Sequence, residues 1–336
     1  MIINTSELGK TKSMAINLFK GNKIYSLNSA NGELVIICEL SNARFDMPFA
    51  SDNKGLDLIK KFENPNLELD GRRLIVKEGK KKFTIDTFTY ELPQFDLTSM
   101  QKCDVDLDIL KTARKFTSKK DTRPVLTSVN LVENGNIYAS DSFSLYRYEK
   151  VDSIDDFQLK SINIPNTFID VLDKNNNDNS NIELMFNSKC VLVVNNNIKY
   201  ISRLVVGNFP NVNRLINEQK SQHLEMDLNE LKENISFANN VGASKDNNAS
   251  IVCRLRNNTL KCYGACEFET EFESAKFNEN YEFSIVIELV QLLLSSVDQK
   301  LEKIRLEFEG MRKAITYRDD LGQTILITPI LKQYDE

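Results

Sequence analysis

Apolar and polar residues alternate over short stretches of this chain, with the two-residue period that turns one face of a strand to a core. Leu67-Glu68-Leu69, Ile182-Glu183-Leu184 and Ile304-Arg305-Leu306-Glu307-Phe308 are the clearest cases. Each leads through a tight turn into further apolar stretches: Arg73-Leu74-Ile75-Val76, Cys190-Val191-Leu192-Val193-Val194 and Ala314-Ile315-Thr316-Tyr317. β-Branched and aromatic enrichment between Asn, Gly and Asp turns predicts strands over 33–39, 67–76, 128–131, 182–194, 250–255, 304–308 and 324–330. Asn134-Gly135-Asn136 and Asn257-Asn258 read as hairpin turns. Helical spacing is scarcer. Apolar helices are predicted over 56–62, 168–174 and 287–297, each just ahead of one strand–turn–strand block. A fourth, over 106–118, sets Ile109, Ala113 and Phe116 on one face and Lys111, Arg114 and Lys115 on the other.

The blocks are versions of one another. Leu67, Ile182 and Ile304 lie 115 and 122 residues apart, and Asp106-Leu107-Asp108-Ile109-Leu110 returns 121 residues later as Asp227-Leu228-Asn229-Glu230-Leu231. A solenoid repeats every 20–50 residues; a period this long is the size of a domain. The chain is therefore expected to be an α+β protein of three tandem copies of one domain, over 1–97, 98–217 and 218–336. Pro93-Gln94-Phe95-Asp96 and the polar stretch 217–222 mark the boundaries, and the Asn-rich run 175–181 reads as a solvated turn.

Composition narrows the chemistry. At 336 residues, 41% hydrophobic and 27% charged, the chain has ordinary globular proportions, and its net charge of -5 argues against a surface that is basic throughout. No apolar run reaches membrane-spanning length and Met1-Ile2-Ile3 opens no leader, so a cytoplasmic location is expected. Six cysteines include no CxxC, which predicts reduced, buried thiols and no metal. The single histidine, His223, sits in the polar stretch Ser221-Gln222-His223, a poor place for a general base. Asp104-Asp106-Asp108 and Asp319-Asp320 suit turns and helix starts better than a metal site. Gly9-Lys10-Thr11 imitates the end of a phosphate loop but lacks its first glycine. Neither catalysis nor a cofactor is expected.

The middle block carries marks of a known family. Arg123-Pro124-Val125-Leu126, Val129-Asn130-Leu131 and Ala139-Ser140-Asp141-Ser142-Phe143-Ser144-Leu145 resemble the middle domain of the bacterial DNA polymerase III beta subunit, the sliding clamp, whose motif there is Thr-Asp-Gly-His-Arg-Leu. Gly207-Asn208-Phe209-Pro210-Asn211-Val212-Asn213-Arg214-Leu215 resembles that family's Gly-x-Phe-Pro-Asp-Tyr-x-Arg-Val stretch, and Thr328-Pro329-Ile330 its Met-Pro-Met ending. The resemblance spans roughly 50–332. The first 45 or so residues lack the family's long first helix, the chain runs on as Leu331-Lys332-Gln333-Tyr334-Asp335-Glu336, and Ser-Phe-Ser replaces Gly-His-Arg. These departures suggest a divergent clamp, as from a phage or another mobile element.

The resemblance implies two helices per domain lining a central hole, antiparallel sheets outside, and a head-to-tail homodimer around duplex DNA. It assigns Lys111, Arg114, Lys115, Lys119, Lys120 and Arg123 to the DNA-facing surface, with Lys60, Lys61 and Lys232 as lesser contributors. It places a groove for peptides of the polymerase, clamp loader and other clamp-binding proteins at Leu126, Ser140, Ser142, Phe143, Leu145, Pro210, Arg214, Leu215, Leu326, Ile327, Thr328, Pro329 and Ile330, with core packing the competing role for Leu145 and Ile327. Phe83 and Val241 map to the dimer interface. Three other readings stay open: a clamp-like protein that binds partners without encircling DNA, a β-rich phage structural protein, and a divergent enzyme.

Overall fold

The computed structural model describes residues 2–8, 14–28, 33–41, 43–120, 122–149, 159–175, 181–216, 220–242, 251–279, 282–310 and 313–330. Gly9-Lys10-Thr11, most of the Asn-rich run, part of the stretch 217–222 and the tail from Leu331 lie outside these residues.

Six antiparallel three-strand meanders make up most of the molecule. In chain order they are β1 (Ile16–Gly21), β2 (Lys23–Leu27) and β3 (Leu34–Glu39); then, after β4 (Phe45–Asp52) and helix α1 (Asn53–Ile59), β5 (Asn66–Asp70), β6 (Arg73–Glu78) and β7 (Lys81–Asp86). Strand β8 (Gln101–Asp106) and α2 (Leu107–Lys115) lead to β9 (Ser128–Val132), β10 (Ile137–Ser140) and β11 (Ser144–Tyr148). β12 (Ser161–Pro165) and α3 (Asn166–Asn175) precede β13 (Asn181–Phe186), β14 (Cys190–Asn195) and β15 (Ile198–Arg203). After the short α4 (Asn213–Ile216), β16 (Gln222–Asp227) and α5 (Leu228–Gly242) come β17 (Val252–Arg256), β18 (Thr259–Tyr263) and β19 (Glu267–Glu271). The chain closes with β20 (Lys276–Phe277), β21 (Glu282–Val286), α6 (Ile287–Leu294), and β22 (Lys303–Phe308), β23 (Ile315–Arg318) and β24 (Gln323–Ile327).

The chain divides into two compact units, Met1–Lys111 with Phe157–Val205, and Thr112–Asp156 with Val206–Glu336. In the first, β15 pairs antiparallel with β3, so two meanders share an eight-stranded sheet ordered β4-β1-β2-β3-β15-β14-β13-β8. In the second, β11 pairs antiparallel with β24, giving the run β9-β10-β11-β24-β23-β22-β16-β20. The meanders β5-β6-β7 and β17-β18-β19 stay in smaller sheets, and β7 and β19 are edge strands.

Local rules account for these elements. The Asp52 carboxylate caps α1, accepting from the amides of Lys54 and Gly55 at 3.1 and 3.2 Å. Within the first unit the alternation buries Leu67, Leu74 and Val76, and the buried Phe19 of β1 stacks on Phe49 at 4.7 Å. In the second, Phe283 and Phe308 meet at 5.7 Å. Strands lie within each predicted stretch, although β24 ends at Ile327, short of the expected 330, and Ser250 lies outside the described residues. β1, β2 and β4 carried no clear period and went unpredicted, Asn17 and Ser26 being buried as a hydrogen-bonded pair at 2.8 Å. Among the described residues before Leu40 there is one 3-10 turn (Thr5–Leu8) and no α-helix.

Two expectations need correction. Cys253 and Cys262 are not reduced thiols: they face each other across β17 and β18 with Cα atoms 4.1 Å apart and form a disulfide, while Cys38, Cys103 and Cys190 are buried and Cys266 exposed, none of the four in a disulfide. Close cross-strand pairs approach within about 4.5 Å, which brings two cysteines in register within bonding reach. His223 lies in strand β16 rather than in a linker, its amide donating to Asn278 Oδ1 at 2.9 Å.

Candidate functional site

Helix α2 begins where Asp106 turns its carboxylate back onto the amide of Asp108, at 2.8 Å. Its fully buried face is Leu107, Leu110 and Ala113; Ile109, expected on that face, is only half-buried. The helix ends at Lys115, earlier than the predicted 118, and Phe116 beyond it stacks on Tyr146 at 5.3 Å.

The six cations assigned to this segment have different surroundings. Lys111 Nζ lies 2.9 Å from Asp108 Oδ1 and 3.0 Å from Asp173 Oδ1, and hydrogen bonds to Asp108 and then Asp173 raise its pKa above the usual lysine value. Lys115 donates to the Ser295 carbonyl at the C-terminus of α6, at 2.7 Å, where a cation meets the negative end of a helix. Arg114 is half-buried. Lys119 and Lys120 are exposed on the loop beyond the helix. Arg123 turns to another place, its Nη1 3.4 Å from Ser142 Oγ in the β10–β11 turn.

That turn is built by one carboxylate. Asp141 Oδ1 accepts from the amides of Phe143 and Ser144 at 2.9 and 2.7 Å and from the Ser144 hydroxyl at 2.9 Å, while Ser140 Oγ donates to the Ser144 carbonyl at 2.7 Å. Ser142 takes φ +80°, the position at which the resembled motif carries glycine. The result is a Phe143 side chain that is 63% exposed. Strand pairing sets Leu145 opposite Leu326 and Ser144 opposite Ile327, and the Thr328 amide donates to the Phe143 carbonyl at 2.9 Å.

The stretch from Gly207 arrives beside them. Tyr138, Leu145, Ile216 and Leu326 form one buried cluster against which Phe209 and Val212 pack, so three distant segments of the second unit converge. Gly207 has φ +134°, and a Cβ there would stand 2.5 Å from Val125 Cγ1, so a side chain would push the stretch away. Of the thirteen groove candidates, Leu126, Leu145, Leu326, Ile327 and Pro329 are buried, and Ile327 lines an apolar interior cavity with Met226, Phe283 and Leu306. Ser142, Phe143, Pro210, Arg214, Leu215 and Thr328 are exposed, while Ser140 and Ile330 are half-buried. Phe209 and Val212, inside the recognised stretch, are its packing residues and were not singled out. Val206, 93% exposed just ahead of it, gave no signal because its neighbours are apolar too.

The two dimer candidates lie on different elements. Phe83, on edge strand β7, is half-buried and packs on Phe62 at 5.3 Å; Val241 is half-buried in the last turn of α5. Among the described residues no group of three or more His, Cys, Asp or Glu could hold a metal ion, and no helix is long and apolar enough to cross a membrane. Asp319 accepts from the amides of Leu321 and Gln323 in the β23–β24 turn; burial pushes its pKa up.

No family model matches the chain. In sequence it is similar to the beta sliding clamp of Staphylococcus epidermidis, 26% identical over 295 residues, covering 82% of this chain and 77% of that one. Staphylococcus aureus beta sliding clamps match at 28% over 206 residues, 57% of this chain and 54% of theirs. In fold it is similar to the DNA polymerase sliding clamp of Bacillus subtilis, with a TM-score of 0.82 at 18% identity over 99% of both chains. The beta subunit of DNA polymerase III from Thermotoga maritima gives 0.80 at 18%, again over 99% of both.

Proposed function

We infer that this chain, a divergent beta clamp with the sliding-clamp fold, is a DNA sliding clamp: a non-catalytic processivity factor that encircles duplex DNA and tethers a replicative polymerase to it. The observation carrying the reading is the agreement of a full-length fold match with sequence similarity over 82% of the chain. The six meanders, two each in 1–97, 98–217 and 218–336, support the division into three repeated domains. Two such chains would give six domains around one hole, with Phe83 of one chain and Val241 of the other near each joint.

In this reading the protein holds DNA by topology rather than by affinity. Contact with phosphates is electrostatic and independent of sequence, so the duplex can slide. Lys119 and Lys120, exposed on their loop, are best suited to it; Lys115 and Arg114 stand behind them, and Lys111 contributes less because two carboxylates already neutralise it. Phe143, Pro210, Leu215 and Ile330 form the accessible rim that takes an apolar anchor from a partner peptide, while the buried candidates support it from beneath. Arg123 belongs with that rim, because its guanidinium reaches the turn carrying Phe143. The setting is cytoplasmic and no cofactor is involved.

The test is primer extension on a singly primed circle with the cognate polymerase and clamp loader. The chain should lengthen products many-fold, and linearising a preloaded circle should release it. Polymerase binding without any gain in product length, or equal retention on linear and circular DNA, would favour a partner-binding protein that does not encircle DNA.

A further inference from the structure

We propose that Arg318 is the positioning residue of the partner groove: by holding the C-terminal end of α4 it fixes the Pro210 and Leu215 side of the rim, and so sets how tightly an apolar anchor is gripped. The proposal rests on the partner-groove reading and names what gives that groove its shape. The two sides of the rim are held differently. Phe143 stands on a turn between two paired strands, locked by Asp141. Pro210 and Leu215 stand on the stretch 207–216, which belongs to no sheet and carries only the four-residue α4. Such a stretch keeps one shape only where other elements hold it.

Two holds fix its ends. At the start, Gly207 lies so close to Val125 that no side chain fits between them. At the end, Ile216 buries its side chain with Tyr138, Leu145 and Leu326, and its carbonyl accepts from Arg318 Nη2 at 2.6 Å. Apolar packing sets how deep α4 sits but has no direction of its own. A hydrogen bond to the last carbonyl, which a helix leaves without an internal partner, fixes how α4 is turned and therefore where the neighbouring Leu215 points. Arg318 is itself aimed. Its Nε lies 3.3 Å from Glu307 Oε2 on β22, and its Nη1 3.5 Å from Thr324 Oγ1 on β24, the two strands that flank β23. A planar guanidinium serves acceptors in several fixed directions at once, which a single ammonium does not. Three strands thus act through one side chain on a carbonyl 102 residues earlier in the chain.

The experiment is fluorescence anisotropy of a labelled peptide from the cognate polymerase, titrated with the full chain, beside thermal melts and hydrogen exchange on each variant. Arg318→Met removes the donors and keeps the apolar stem. Arg318→Lys keeps a cation beside Glu307 without the fork, and carries the test should the first variant fold poorly. Either change should raise the peptide dissociation constant roughly fivefold, the scale of ordering one or two side chains on binding. The amides of Leu215 and Ile216 should exchange faster, while those of Phe143 and Ser144 keep their parent rates. Combined with Leu215→Ala, the Arg318 change should cost little more, because the side of the rim it holds is already lost; combined with Phe143→Ala it should act in full. If the parent grips the peptide and the Arg318 variants grip it equally, the assignment is overturned and the groove stands. Exchange that quickens at Phe143 as much as at Leu215, or effects that multiply equally with both alanine variants, also overturn it, since Arg318 then serves the fold at large. A parent chain that does not bind the peptide overturns the groove reading itself, and the role of Arg318 with it.

Discussion

Ser142 is where local strain and a candidate surface coincide. Its φ of +80° is one that side chains with a Cβ adopt at a cost of about 1–2 kcal/mol, and the turn holds it there only because Asp141 ties down the next two amides. Ser142→Gly should therefore raise stability by about 1 kcal/mol, read as a higher denaturant midpoint at unchanged slope. The neighbouring positions separate recognition from packing. Phe143, largely exposed, should be replaceable by Ala with a change in stability within about 0.5 kcal/mol, but at a loss of about 1–2 kcal/mol in titrations with a polymerase-derived peptide. Leu145→Ala removes a side chain that is 4% exposed and should cost about 2–5 kcal/mol in unfolding. If Phe143→Ala destabilises the fold and spares the peptide, the rim has been misassigned. The sequence made these residues visible as a group through the family motif. It did not rank them, because burial of a strand residue depends on what is placed over it.

Helix α2 shows what can and cannot be read one element at a time. Its amphipathic spacing was clear, yet the pairing of Lys111 with Asp173, 62 residues away on α3, leaves no trace in either helix alone. Asp173→Asn should release Lys111 from half of its carboxylate clamp. The expected results are tighter association with duplex DNA at low salt and a steeper salt dependence, by about one unit of the log–log slope for each extra phosphate contact. Stability should change by no more than about 1 kcal/mol, since the pair is largely open to solvent. Unchanged salt dependence would mean that Lys111 never reaches DNA. The disulfide was legible in principle. Cys253 and Cys262 are equidistant from the Asn257-Asn258 turn, so recognising that hairpin already fixes them as cross-strand partners.

At the scale of the molecule, the repeat expected from the sequence rests on strand–turn–strand blocks that restate the same alternation before and after a tight turn. What joins the blocks was not evident. Ile36 opposite Tyr200 and Leu145 opposite Leu326 are pairings between strands far apart in the chain, chosen by edge geometry rather than by any local pattern. The N-terminal strands escaped notice for a related reason, since β1 buries Asn17 with Ser26 and breaks the alternation that elsewhere announces a strand.

The β3–β15 and β11–β24 pairings are made within a single polypeptide. The two joints inside the chain are closed by covalent tethers, so they form at an effective concentration fixed by the polypeptide and insensitive to dilution. A joint between copies has no tether and obeys mass action: its occupancy falls as the protein becomes scarce. A ring built from this chain would thus be a concentration gauge. Its closed fraction would track the number of copies present, and an empty ring would open between its copies when synthesis of the protein stops.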